Sequence, residues 1–214
     1  MRIAVHPQVQ RYGIGCHFVE QISLLGAKQG IDFIGSSFGV NPELLSFWLK
    51  AGFSTIRIGF TKDKASGEHS ALMIKGIHAK TSLQQQKLKQ EFYRSFDYLL
   101  IEEYQSLSTP LVKLLLSQQE KASIVELSDL DFANVLAFST GERLYSSCVY
   151  SLYLWLKHDL LARSSHRNSD DEQNALILIA RLIQKHSSAN VCQQYALTGK
   201  KMLNQRIKDY VSLR

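Results

Sequence analysis

Cysteine is scarce: Cys16, Cys148 and Cys192 are the only three in 214 residues. They are odd in number and far apart, and no Cys-x-x-Cys occurs, so neither a disulfide framework nor a cysteine zinc site is supported. No metal site is expected. A reducing compartment, the cytoplasm, is the default for such a chain. No apolar run reaches the length of a membrane span, and no signal-type apolar stretch opens the chain. No Walker motif occurs anywhere, so no loop is expected to hold the phosphates of ATP or GTP. RNA-recognition, KH and zinc-finger motifs are absent too. Charge of one sign is not concentrated: the net charge is +6. Eight Lys and Arg stand against five Asp and Glu in residues 1–76, and seventeen against fourteen in residues 77–214. Such a balance suits an anionic partner weakly and solubility equally well. Hydrophobic residues make up 45% of the chain, enough for a proper core in one or two domains.

What the sequence does contain begins at its front. Ile3, Ala4 and Val5 form a short apolar run suited to a buried strand, ended by His6 and Pro7. Gln10, Arg11, Tyr12, Gly13, Ile14, Gly15 and Cys16 then lead into an amphipathic helix expected from about Gly13 to Gln29. A strand, a glycine turn and a helix N-terminus make an anion site, because unpaired N–H groups converge there and the helix dipole adds positive potential. The glycines are not followed by Lys-Ser/Thr and do not spell Gly-x-Gly-x-x-Gly, so the loop is neither a P-loop nor a dinucleotide fingerprint. An ordinary strand–helix turn is the plainer reading of the same residues.

Along the chain, Ile14, Phe18, Ile22 and Leu25 recur at helical spacing and are expected to be buried. Residues 31–36 read as a strand. Asn41 reads as an N-cap with Pro42 and Glu43 in the first turn of a helix that stops at Gly52. Phe53–Phe60 and His69–Lys75 read as strands around a polar loop. The order is that of an α/β unit. From Ile77 onward the pattern is helical. Thr109-Pro110, Ser128, Ser169 with Glu172, and Thr198 mark helix starts, and the polar run from Arg163 to Asp171 marks a break.

Gln-x-x-Gly-x-Gly resembles the acetyl-CoA pyrophosphate loop of the GNAT acyltransferases. A longer series is more specific. Arg2-Ile-Ala-Val-His-Pro, Gln10-x-x-Gly-Ile-Gly, Asp32-Phe-Ile-Gly-Ser-Ser-Phe-Gly39, Pro42-Glu-Leu-Leu-Ser-Phe-Trp48, Ala51-Gly-Phe53 and Ser66-Gly-Glu-His-Ser-Ala-Leu-Met73 follow in this order. Together they resemble the GNAT segment of the tRNA(Met) cytidine acetyltransferase family. Weaker likeness continues in Phe138-Ser-Thr-Gly-Glu-Arg143 and Leu197-Thr-Gly-Lys-Lys201.

The resemblance implies a fold, a reaction and a set of residues. The fold is α/β: a partial GNAT fold lacking its N-terminal strands over residues 1–76, followed by an all-α tail over residues 77–214. The family carries a helicase-like, ATP-binding region ahead of this segment, so this chain resembles the C-terminal part of a longer enzyme. ATP or GTP belongs to that missing N-terminal module, itself an expected partner. A sheet cut in this way is expected to leave an edge and apolar surface open. The implied reaction transfers acetyl from acetyl-CoA to N4 of the wobble cytidine of elongator tRNA(Met). Ile3, Ala4 and Val5 would face the pantetheine arm and Gln10 to Cys16 the pyrophosphate. Glu43 and Lys50, seven residues apart on one helix face, match further acetyl-CoA contacts, although a solvated face accounts for them as well.

Catalytic groups are less sharply marked. Glu68 and His69 are the candidates, with a turn glutamate and a hydrogen-bonded strand histidine as the other reading. His6 is a weaker one. Many GNAT enzymes use an acid tyrosine, and the corresponding helix here has Phe47 and Trp48 and no such tyrosine; their spacing with Leu44 and Leu45 suits core packing better than base stacking. The tail is taken in the family as tRNA-binding, and Lys200, Lys201, Arg206 and Lys208 on the last helix are the candidate phosphate contacts, with Arg163 and Arg167 near the break. Two other functions stay open on the sequence: a GNAT enzyme for a protein or small amine, and an inactive RNA-binding remnant.

Overall fold

The computed structural model describes residues 3–120, 125–162 and 169–212. The contacts divide the chain into two compact units, Met1–Ser95 and Phe96–Arg214. The change from strands to helices expected at residues 76–77 falls just ahead of a long helix, and the division between the units falls within that helix. Arg163 and Arg167 lie outside the described residues.

In the first unit a single 3-10 turn, Pro7–Val9, precedes helix α1, Ile14–Lys28; β1, Phe33–Gly39; α2, Pro42–Lys50; β2, Ser54–Lys62; and β3, His69–Gly76. The long helix α3, Ala79–Glu102, begins here and runs into the second unit. The strands form one antiparallel sheet in the order β1-β3-β2. Ser36 pairs with Met73 and Ser37 with Leu72, so alternate residues face opposite ways. Ala71 and Met73 are fully buried, as are Ile58 of β2 and Leu45 of α2. Leu72 and Arg57, paired across β3 and β2, belong to the open face.

Two helices cover the buried face, each for a reason visible in its residues. In α2 the Asn41 side chain accepts the Leu44 N–H at 2.9 Å, and Pro42 occupies the first turn without wasting a donor. Trp48 of α2 stacks on Phe38 of β1 with centroids 5.9 Å apart and meets Phe53 edge-on at 4.7 Å. The sequence reading of Phe47 and Trp48 as packing residues agrees with this. Helix α1 is seated differently from expectation. Ile14, Phe18 and Leu25 are exposed, and the inward stripe is Gly15, Val19, Ile22 and Gly26. Gly26 lies against Ile31 and Ile34, and Gly15 against Phe47, so glycines set how closely the helix approaches. The larger apolar residues are displaced round the helix to an exposed side, which none of the described residues of this unit covers.

Residues 3–5 also depart from the expected strand. They make no ladder, because among the described residues β1 pairs with β3 and with nothing on its other edge. Val5 instead packs near Gly15, and its carbonyl accepts the Gln10 side-chain amide at 2.9 Å. At the far end, Gln85 of α3 joins the helix to the sheet. Its carbonyl oxygen accepts the Gly76 N–H at 2.7 Å, and its amide donates to the Gly52 carbonyl and Ser54 Oγ.

The second unit is helical: α4, Thr109–Leu116; α5, Asp129–Thr140; α6, Tyr145–Ala162; α7, Ser169–Leu178, continued by one π turn, Ile179–Ile183; α8, Ser188–Gln194; and α9, Lys200–Ser212. A small antiparallel sheet with its helices, followed by further helices, fits the partial GNAT fold with an all-α tail. Ser128 caps α5 in a full capping box with Asp131. Ser108, not Thr109, caps α4. Glu172 pairs with Lys113. Leu203, Ile207 and Val211 of α9 are buried, whereas Met202 and, on the approach to α6, Leu144 are exposed.

Candidate functional site

The glycine loop is open and its geometry is specific. Gly13 is the N-cap of α1 with φ 83°, and a Cβ there would meet nothing within 4 Å. Arg11, two residues earlier, also holds a positive φ of 69°. The first helical bond runs from the His17 N–H to the Gly13 carbonyl at 3.0 Å. The amides of Ile14, Gly15 and Cys16 therefore precede the ladder and point out of the helix end. Tyr12, 80% exposed, and the exposed Arg11 flank them. Gln10 is turned back onto Val5, so its side chain closes the loop while the later amides stay open. His6 caps the short turn ahead, its Nδ1 accepting the Gln8 N–H at 3.4 Å.

Helix α2 completes the setting. Phe47 packs on Gly15, and Glu43 and Lys50 lie four residues before and three after it, hence on the same helix face. Both are exposed. The structure thus brings Gly13–Cys16 together with the α2 face that carries Glu43 and Lys50. A helix N-terminus with a nearby cation can hold a phosphate, and the unpaired edge of β1 offers backbone donors and acceptors to an extended ligand.

Glu68 and His69 occupy another corner, where β3 begins beside the end of β1. His69 is buried, and its Nδ1 lies 2.8 Å from the Gly59 carbonyl. A carbonyl only accepts, so Nδ1 carries the proton. The His69 carbonyl accepts the Val40 N–H at 2.8 Å, just ahead of α2. Glu68 is exposed and its carbonyl accepts the Asp63 N–H. Asp63 braces that turn by accepting from the Ala65 and Ser66 N–H groups and from Ser66 Oγ.

On α9, Lys200 and Lys201 are exposed in the first turn. Arg206 donates to Asn174 Oδ1 at 3.3 Å. Lys208 lies over the Phe138 ring, 5.6 Å from its centroid, next to Gly141 at the end of α5. Among the described residues no group of three His, Cys, Asp or Glu could hold a metal ion, and no helix is long and apolar enough to cross a membrane.

Residues 25–78, from the last turn of α1 through β3, match the family model of GNAT acetyltransferase 2. The wider chain is a relative of the tRNA(Met) cytidine acetyltransferases (TmcA). It is 31% identical to that of Nitrosococcus halophilus over 201 residues, 94% of this chain and 27% of that protein. Identity to the Vibrio cholerae enzyme is 31% over 210 residues, covering 97% and 27%. The Thermofilum pendens enzyme is 27% identical over 199 residues, covering 92% and 25%. The chain spans about a quarter of the length of the curated relatives it matches.

Proposed function

We propose that this chain supplies the acetyl-CoA-binding part and the RNA-facing tail of a tRNA cytidine N4-acetyltransferase, acting on the wobble cytidine of elongator tRNA(Met). The observation that carries the reading is the open helix end at Gly13–Cys16, packed through Gly15 on the α2 face bearing Glu43 and Lys50. The pyrophosphate meets the α1 amides, and the pantetheine arm runs between residues 3–5 and the unpaired edge of β1. In the transfer, the cytidine N4 attacks the thioester carbonyl, the C–N bond forms, the C–S bond breaks, and one proton passes from nitrogen toward the departing thiolate. N4 is neutral at pH 7, so no ammonium needs deprotonating first and the demand on a base is small. Of the two candidates, exposed Glu68 is the one able to relay that proton, whereas buried His69 holds the strand end beside it. ATP or GTP use belongs to a region outside this chain.

Calorimetric titration of acetyl-CoA tests the site, with Gly13→Asp and Gly13→Asn in parallel. Asn tolerates the left-handed backbone that Gly13 adopts, and Asp adds a carboxylate at the same place. Saturable binding kept by Asn and lost by Asp supports a phosphate at the helix end. Equal affinity in all three proteins, or none in the parent, overturns this assignment.

A further inference from the structure

The second unit gathers cations and rings on one side of α6. Tyr150 and Tyr153, one turn apart, have ring centroids separated by 6.4 Å and planes inclined by 25°. Tyr150 is 62% exposed. Lys185 follows the π turn in a left-handed conformation, φ 58°, which brings its Nζ to 4.6 Å from the Tyr153 centroid. Lys157 lies over the same ring at 5.7 Å. One turn before Lys185, Arg181 lies over Tyr145 at 5.3 Å and donates to the His186 carbonyl at 3.0 Å.

The charges here are not balanced. Asp97 is the carboxylate that acts on Lys185, and Lys157 already engages one of its oxygens. Among the described residues, neither Arg181 nor Lys185 forms an ion pair. Burial over the ring, and then the Arg181 charge, lower the Lys185 pKa, with Asp97 opposing them. Two cations held close without their own carboxylate are relieved by an anion from outside. Arg181 has a structural use as well, since a cation at a helix C-terminus meets free carbonyls and the dipole. That use does not extend to Lys185, whose contact is the Tyr153 ring. Nor does it explain Tyr150, which keeps a ring face in water on top of a stacked pair.

We propose that Tyr150, Tyr153, Lys185 and Arg181 form a stacking and phosphate subsite for single-stranded RNA. A base lies on Tyr150 and continues the step begun by Tyr153, and the adjoining phosphate meets Lys185 and Arg181. Rings that accept any base face, flanked by cations that follow the backbone, are how proteins hold single strands without reading sequence. An acidic peptide would use the cations and leave the exposed ring without a role. The inference rests on the RNA reading of the tail and adds to it residues outside α9.

The test is fluorescence anisotropy of the full chain with a labelled single-stranded RNA of mixed sequence and with tRNA, over a salt series. Tyr150→Ala is expected to weaken binding about tenfold and Tyr150→Phe to keep it. Lys185→Gln is expected to weaken binding and to lower the salt slope by about one. A Lys200→Ala/Lys201→Ala variant reports the α9 contacts separately. Unchanged affinity in Tyr150→Ala and Lys185→Gln, with loss in the α9 variant, overturns this subsite and leaves the tail reading standing. Absence of RNA binding by the parent chain overturns both.

Discussion

Gly15 and Phe47 meet so closely that a Cβ at Gly15 would stand 3.0 Å from Phe47 Cε2 and 3.3 Å from Cζ. This contact joins the open N-terminal end of α1 to the α2 face bearing Glu43 and Lys50. Phe47 cannot yield freely, because its ring also meets Trp48 edge-on at 5.1 Å. Gly15→Val is expected to cost about 1–3 kcal/mol by overpacking, and to weaken acetyl-CoA further by moving the helix end. Chemical denaturation gives the first quantity and calorimetry the second. Adding Phe47→Leu to Gly15→Val is expected to recover part of the stability; no recovery would mean that the strain lies elsewhere.

The seating of α1 makes a second prediction, because size and importance are inverted along it. Val19 is 2% exposed and Phe18 is 45% exposed. Val19→Ala is expected to cost about 2 kcal/mol, from two lost methyl groups and the cavity they leave. Phe18→Ala, although it removes far more side chain, is expected to cost about 1 kcal/mol or less. Thermal or urea unfolding of the two variants decides it; a larger loss for Phe18 would mean that its face is covered in solution.

Much of this arrangement was legible because it is local. Asn41-Pro42 and Ser128 carry their capping chemistry in sequence, and both helices begin where those residues place them. The spacing Gly13-x-Gly15 before an amphipathic stretch placed the start of α1, and the seven-residue spacing put Glu43 and Lys50 on one face of α2. Periodicity marked α1 as amphipathic but not which way it faces, since it weighs Phe18 above Gly15 although only the glycine permits close approach. The strand expected at Ile3–Val5 needed a partner, and a three-residue apolar run cannot say whether one exists. Gln85 with Ser54, Lys157 with Asp97, and Lys185 over Tyr153 join residues 31 or more apart, so no window of sequence shows them.

The Lys157–Asp97 pair is one such contact, with Lys157 side chain 6% exposed and Asp97 33% exposed. Removing one partner from a buried pair leaves a charge without its counterion. Lys157→Met is expected to cost about 2–4 kcal/mol, toward the lower end because Asp97 still reaches water. The double variant Lys157→Met/Asp97→Leu is expected to be more stable than the single one. Additive losses in that double-mutant cycle would show that the pair contributes no coupling.

Tyr210 and Asp159 make a similar case with a neutral donor. The Tyr210 hydroxyl donates to Asp159 Oδ2 at 2.7 Å in a fully enclosed position. Tyr210→Phe keeps the ring that meets Trp155 edge-on and deletes only the donor. A hydrogen bond to a carboxylate is worth about 1.5–3 kcal/mol, so a loss of that size is expected in urea unfolding. A neutral result would show that water replaces the hydroxyl.

Two hydrogen-bonded carboxylates, Asp131 in the α5 capping box and Asp63 in the turn before β3, are expected to contribute to the acid side of the stability profile. Asp131 accepts from Ser128 Oγ, from Ser151 Oγ and from the Ser128 N–H, and these bonds hold its pKa below the ordinary value, the Ser128 hydroxyl foremost. The Ser66 N–H, the Ser66 hydroxyl and the Ala65 N–H do the same for Asp63, in that order. Each carboxyl binds a proton less readily in the folded chain than in the unfolded one. Its contribution is therefore complete above the unfolded carboxylate range and is lost as pH falls through the lower, folded value. Denaturation midpoints measured from neutral pH downward should decline across that interval. Asp131→Asn should lower the neutral-pH midpoint and flatten the decline, because the amide keeps an acceptor but has no proton to gain. A decline of unchanged steepness in Asp131→Asn would assign the acid sensitivity to other carboxylates.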